Sequence, residues 1–120
     1  MQRMPVLFVG HGSPMNAIED NRFSRSWADL GERLPKPKAI LSVSAHWFTP
    51  GTLVLDAEAP PMVYDMYGFP DALYRVEYNA PGSPYFAGIT QKLLADHHVQ
   101  ADQTWGLDHG TWSVLRRVYP

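Results

Sequence analysis

Two short runs dominate the hydrophobic pattern of the N-terminal third. Pro5 to Val9 (PVLFV) is apolar throughout and runs into Gly10, and Ala39 to His46 (AILSVSAH) follows a pair of helix-stopping prolines, Pro35 and Pro37. Runs of this length bounded by turn formers predict strands covered on both faces, as in a parallel sheet. Between them Phe23, Trp27, Leu30 and Leu34 recur at three- and four-residue spacings, which predicts an amphipathic helix over Asn21 to Leu34. Strand, helix, strand within about forty residues is the size of a right-handed βαβ unit, with its two strands parallel. In sheets of that kind ligands bind outside the carboxyl ends of the strands. His11 and His46 stand at those ends.

Farther along, Thr52 to Leu55 reads as a short strand and Ala59 to Phe69 (APPMVYDMYGF) as an irregular proline-rich loop. The alternation in Tyr74 to Tyr78 (YRVEY) predicts a strand. A helix begins at Ser83 or Pro84 and runs to about His97, a strand covers Val99 to Thr104, and Thr111 to Val118 closes the chain as a helix. The expected class is α/β, a mostly parallel sheet flanked by helices in one domain spanning 1–120. No internal repeat or linker divides it. The final helix is followed only by Tyr119 and Pro120, with no closing strand, so the domain reads as cut short.

Composition narrows the functional classes. Of 120 residues 45% are hydrophobic and 18% charged, which suits a packed core rather than a disordered tail. A formal charge of -2 with scattered Lys and Arg offers no basic stripe for a phosphate backbone, so no nucleic-acid partner is expected. Absence of cysteine excludes disulfides and thiolate metal sites, fits a reducing cytoplasm, and leaves His and carboxylate as the ligands for any metal. The apolar runs are far shorter than the roughly 20 residues of a membrane helix, and no signal peptide is read at the N-terminus. A soluble protein without a membrane partner is expected.

The turn GHGSPMN (residues 10–16) is open to several chemistries. Gly10 and Gly12 supply two positions of a dinucleotide fingerprint, but Met15 occupies the third, and no Gly-Lys pair forms a phosphate loop anywhere. Looser anion binding by backbone N–H groups stays open. HGS is similar to esterase oxyanion turns, yet no G-x-S-x-G elbow accompanies it. The metal reading rests on geometry: neighbouring strands lie about 4.8 Å apart, so imidazoles at the ends of two of them converge, and neutral imidazole suits iron or zinc. The glycines beside His11 then provide clearance, and Ser44 and Trp47 orient or wall His46. His109, in GLDHGTW, repeats the pattern after the strand Val99 to Thr104. By contrast, His97 and His98 close a helix and suit its dipole. Asp108 is placed to orient His109 or cap the last helix, Asp65 to order its loop, and the loop aromatics Tyr64, Tyr67 and Phe69 either line a planar pocket or pack over the sheet edge.

GHGSPMN, SAHW, YDMYGFP, YNAPGSP and GLDHGTW, in this order and at these intervals, together resemble the N-terminal half of the class III extradiol ring-cleavage dioxygenases, in particular their DOPA 4,5-cleaving branch. The resemblance covers essentially the whole chain. It implies a mononuclear divalent metal site at the carboxyl edge of the sheet, with His11 and His46 as its first two ligands. Fe(II) serves catalysis, and Zn(II) is a further possible occupant. For His109 it implies a catalytic place beside the substrate, binding or handling protons at a catechol that O2 then opens next to its hydroxyl pair. Family members run to roughly twice this length and carry the remaining ligand and a further active-site histidine in the C-terminal half. The resemblance therefore implies that this half, or a second chain, is needed to complete the site. A different reading is a non-catalytic α/β fragment that binds a metal or anion.

Overall fold

A computed structural model describes residues 3–120. Helix α1 (Arg22–Arg33) forms where the spacing of apolar residues places it, and its start is specified locally: Asn21 accepts from the backbone N–H groups of Phe23 and Ser24, and the Ser24 hydroxyl accepts from the Asn21 N–H. That reciprocal box satisfies donors that the first turn leaves free. Helices α2 (Asp71–Tyr74), α3 (Pro84–Leu93) and α4 (His109–Val118) follow, with 3-10 turns at Pro14–Ala17 and Ala95–His97. Strands β1 (Leu53–Leu55) and β2 (Gln100–Asp102) pair in parallel, Leu53 opposite Gln100 and Leu55 opposite Asp102. A lone parallel bridge joins Met62 to Leu107. The chain is α/β, a parallel sheet with helices, as its pattern predicts.

The expected strands fare differently. Thr52 to Leu55 and Val99 to Thr104 contain β1 and β2, and Ala59 to Phe69 is irregular apart from the bridge. Pro5 to Val9 and Ala39 to His46, however, form no strand and join no ladder among the described residues. Most of their apolar side chains lie bare, with Val6 97%, Phe8 102% and Val43 91% exposed, while Val9 packs against the Trp27 cluster. A run of buried-strand composition becomes a strand only when another strand takes its backbone hydrogen bonds, and nothing described in this chain does so. The βαβ unit is thus not closed within the chain.

Tyr74 to Tyr78 is also not a strand. Pro70 instead leads into the single turn α2, with Asp71 at its positive end. The turn and the bend after it bring Leu73 and Val76 to the same core, at 0% and 4% exposure, and the Tyr64 hydroxyl donates to the Val76 carbonyl at 2.6 Å. The helix expected to reach His97 ends as α3 and a 3-10 turn, closed by His98 in the left-handed conformation at φ 52°.

Two apolar clusters hold these elements. Trp112 is fully buried among Ala17, Leu73 and Val76, and its indole N–H donates to the Val63 carbonyl at 3.0 Å. Trp27 of α1 packs on Val114 and Val118 of α4. Arginines of α4 tie down the turn that follows His11: Arg116 donates to the Ala17 carbonyl, and Arg117 to the carbonyls of Asn16 and Glu19, each at 3.1 Å. Helix α4 therefore lies at the centre of the packing, and its N-terminus carries His109.

Candidate metal centre

Three separate devices bring three histidines to one place. The first is the GHGSPMN turn. Gly12 adopts φ +63°, a conformation that strains any side-chain-bearing residue, so this glycine is required by the backbone rather than by clearance around the imidazole. Ser13 caps the following 3-10 turn through the Met15 N–H, and the buried Asn16 side chain donates to the His11 carbonyl at 3.1 Å while accepting from Asn21 at 2.7 Å. The turn that presents His11 is thereby linked to the capping residue of α1.

The second device is the turn after Val43. The Ser44 hydroxyl accepts from the His46 backbone N–H at 3.2 Å and donates to Asp108 Oδ1 at 2.7 Å. Asp108 is 1% exposed, and its other oxygen accepts from the Trp105 indole N–H at 2.9 Å. Trp105 in turn lies parallel to Trp47, with 4° between the rings. Asp108 thus anchors the His46 turn and does not orient His109. Close approach here depends on Gly110: a Cβ there would stand 2.8 Å from His46 Cδ2 and 2.9 Å from Ser44 Oγ.

The third is the N-terminus of α4. His109 is its first residue and is buried, and its backbone N–H donates to Asp65 Oδ1 at 2.9 Å. Its Nδ1 lies 2.9 Å from that same oxygen. Of the loop aromatics beside Asp65, Tyr64 and Phe69 pack against the core, with Tyr64 5.9 Å from the Trp112 ring, while Tyr67 is 93% exposed.

The outcome is a cluster in which one ring nitrogen each of His11, His46 and His109 lies within 4.8 Å of the others. His11 Nε2 and His46 Nε2 are 3.0 Å apart, and the His46 and His109 rings are 4.1 Å apart between centroids. Burial foremost, then the neighbouring His109 and His46, holds the His11 imidazolium below the ordinary histidine range, against the opposing pull of Asp108 and Asp65. Near neutral pH the His11 ring is uncharged and offers a lone pair. Together the three imidazole nitrogens could hold one divalent metal ion. A cavity of about 450 Å³ opens beside His11, bordered by Ser13, Asn16, Glu19, Arg22 and Phe23. The sequence pattern singles out all three histidines. The linkages through Asp65 and Asp108 join residues up to 64 positions apart, and no local signal announces them.

The chain is an α/β protein whose three clustered histidines could hold a metal, and comparison with known proteins gives the family. Residues 5–120 match the family described as the catalytic LigB subunit of aromatic ring-opening dioxygenase, and the chain belongs to that family. It is 56% identical over 119 residues to a 4,5-DOPA dioxygenase extradiol of Escherichia coli K12, covering 98% of this chain and 44% of that protein. A protein of the same name from Beta vulgaris is 43% identical over 124 residues, covering 96% and 45%. Among solved structures, an uncharacterized protein from Escherichia coli K12 superposes with a TM-score of 0.76 at 50% identity, covering 98% of this chain and 43% of that one. The chain thus spans less than half the length of the curated relatives it matches.

Proposed function

We propose that this chain provides the metal-holding part of an extradiol dioxygenase that opens a catechol, DOPA or a close relative, with O2. The observation that carries this reading is the convergence of His11, His46 and His109 in a chain that is 56% identical to a named 4,5-DOPA dioxygenase. His11 and His46 would hold one divalent metal, Fe(II) for turnover and Zn(II) as an alternative occupant. When bound, that metal supplies a Lewis-acid seat for two adjacent catechol oxygens and a redox route to O2. His109, beside the pair, takes the catecholic proton and later returns one, work suited to an imidazole near neutral pH.

Completion of the site is assigned to polypeptide outside these 120 residues, corresponding to the part of the relatives that the chain does not match. Its bare apolar segments, ending in His11 and His46, support that assignment. Among the described residues no helix is long and apolar enough to cross a membrane. A second reading, an α/β module that binds metal without turnover, is favoured by the 44% coverage. The two are separated by Fe(II)-supplemented assay of DOPA ring opening, with the chain alone and with the unmatched C-terminal part of the Escherichia coli relative supplied in trans. Turnover in the mixture that disappears in His11→Ala and His46→Ala supports the dioxygenase; metal uptake without turnover in either arm supports the module.

A further inference from the structure

A mostly buried polar contact at the cluster joins Asp65 and His109. Their side chains are 15% and 8% exposed, and 44 residues separate them in sequence. Asp108, the residue before α4, makes no side-chain capping bond, because its carboxylate is committed to Ser44 and Trp105. Asp65 supplies the cap from a distant loop, its Oδ1 accepting the first N–H of the helix. A carboxylate at a helix N-terminus is also favoured by the dipole.

The same oxygen lies 2.9 Å from His109 Nδ1, but off the line of a hydrogen bond, and that buried nitrogen has no hydrogen-bond partner among the described residues. An unprotonated Nδ1 at this distance would set its lone pair against a carboxylate oxygen, so the ring hydrogen belongs on Nδ1. By elimination Nε2 is the nitrogen with a free lone pair, and it is the one left for chemistry among His11 and His46.

We infer that Asp65 is a positioning residue, which caps α4 and fixes His109 as the Nδ1–H tautomer so that Nε2 is the proton acceptor. This rests on the reading of His109 as the group that handles the catecholic proton. Orienting partners of this kind typically change activity or metal affinity 10- to 100-fold, by about that factor when removed.

The test has two readouts. In the chain labelled with 15N-histidine, long-range 1H–15N correlation spectra report the tautomer of each ring without any turnover. The wild type should show His109 as Nδ1–H. Asp65→Asn keeps an acceptor oxygen for both N–H groups and should retain that tautomer, whereas Asp65→Ala should lose it. In the complemented enzyme, Asp65→Ala should lower kcat about 10- to 100-fold with KM changed less than about threefold, with Asp65→Asn restoring most of the rate. An Nε2–H tautomer in the wild type overturns the inference, and this spectrum alone decides the matter if the alanine variant does not fold. An unchanged Nδ1–H spectrum in folded Asp65→Ala also overturns it. Absence of DOPA turnover in the wild-type mixture counts against the proposed activity, while the tautomer result stands separately.

Discussion

His109 and His46 sit in the same cluster but are held by opposite kinds of structure. His109 opens a helix whose next turn carries Trp112 at 0% exposure, and every neighbour that fixes it belongs to this chain. His46 ends a segment with Val43 91% exposed, and His11 ends one with Phe8 102% exposed. One histidine is positioned by a finished core and two by segments that are largely bare, with Val9 packed on the Trp27 cluster. The contrast shows how a site can be assembled at the seam between a packed region and an open one. Hydrogen bonds through Asn16, Ser44 and Asp108, together with the packing of Val9, hold the open side in place.

If that contrast is right, disruption should be very unequal across the molecule. Trp112→Ala removes the largest fully buried side chain and the bond to Val63, and should cost about 3–5 kcal/mol. Because small domains have only about 5–15 kcal/mol of stability, urea titration should find the variant largely or wholly unfolded. Gly110→Ala comes next. Its methyl would enter the 2.8 Å space beside His46 Cδ2, so the chain should stay folded while divalent-metal affinity falls by about 10-fold or more, as calorimetry would show.

A smaller effect concerns pH. The His11 imidazolium is disfavoured in the folded state relative to its ordinary value of 6.5. The corresponding stability is present above 6.5 and is lost as pH falls through the lowered folded value. In metal-free protein the urea midpoint should therefore drop on acidification below 6.5, and drop less in His11→Ala. Smallest of all, Phe8→Ser and Val43→Ser should change the stability of the isolated chain by less than about 0.5 kcal/mol, since neither side chain is covered in it. In the complemented enzyme the same two changes should weaken association, measurable by sedimentation.

The same division explains what could be read in advance. Helix α1 was legible because Trp27 and Leu30 recur on one face and Asn21 marks the start. Strands β1 and β2 find each other within the chain, so composition and outcome agree. PVLFV and AILSVSAH also carry strand composition, but pairing is a property of two segments, and neither pairs with another strand among the described residues. YRVEY misleads because Leu73, just outside the alternating run, shares a core with Val76 through a turn. At the site, His11 and His109 announce themselves through flanking glycines and His46 through its position at the end of an apolar run. The roles of Asp65 and Asp108 are set by tertiary contacts across 44 and 64 residues, and an aspartate in a turn looks the same whether or not it reaches a distant helix.

The most direct test of the centre is a Zn(II) titration of the chain and its three histidine variants. One ion per chain is expected, lost in His11→Ala and in His46→Ala and retained in stoichiometry by His109→Ala. Wild-type binding in both of the first two variants would contradict the assignment of His11 and His46 as the metal-holding pair.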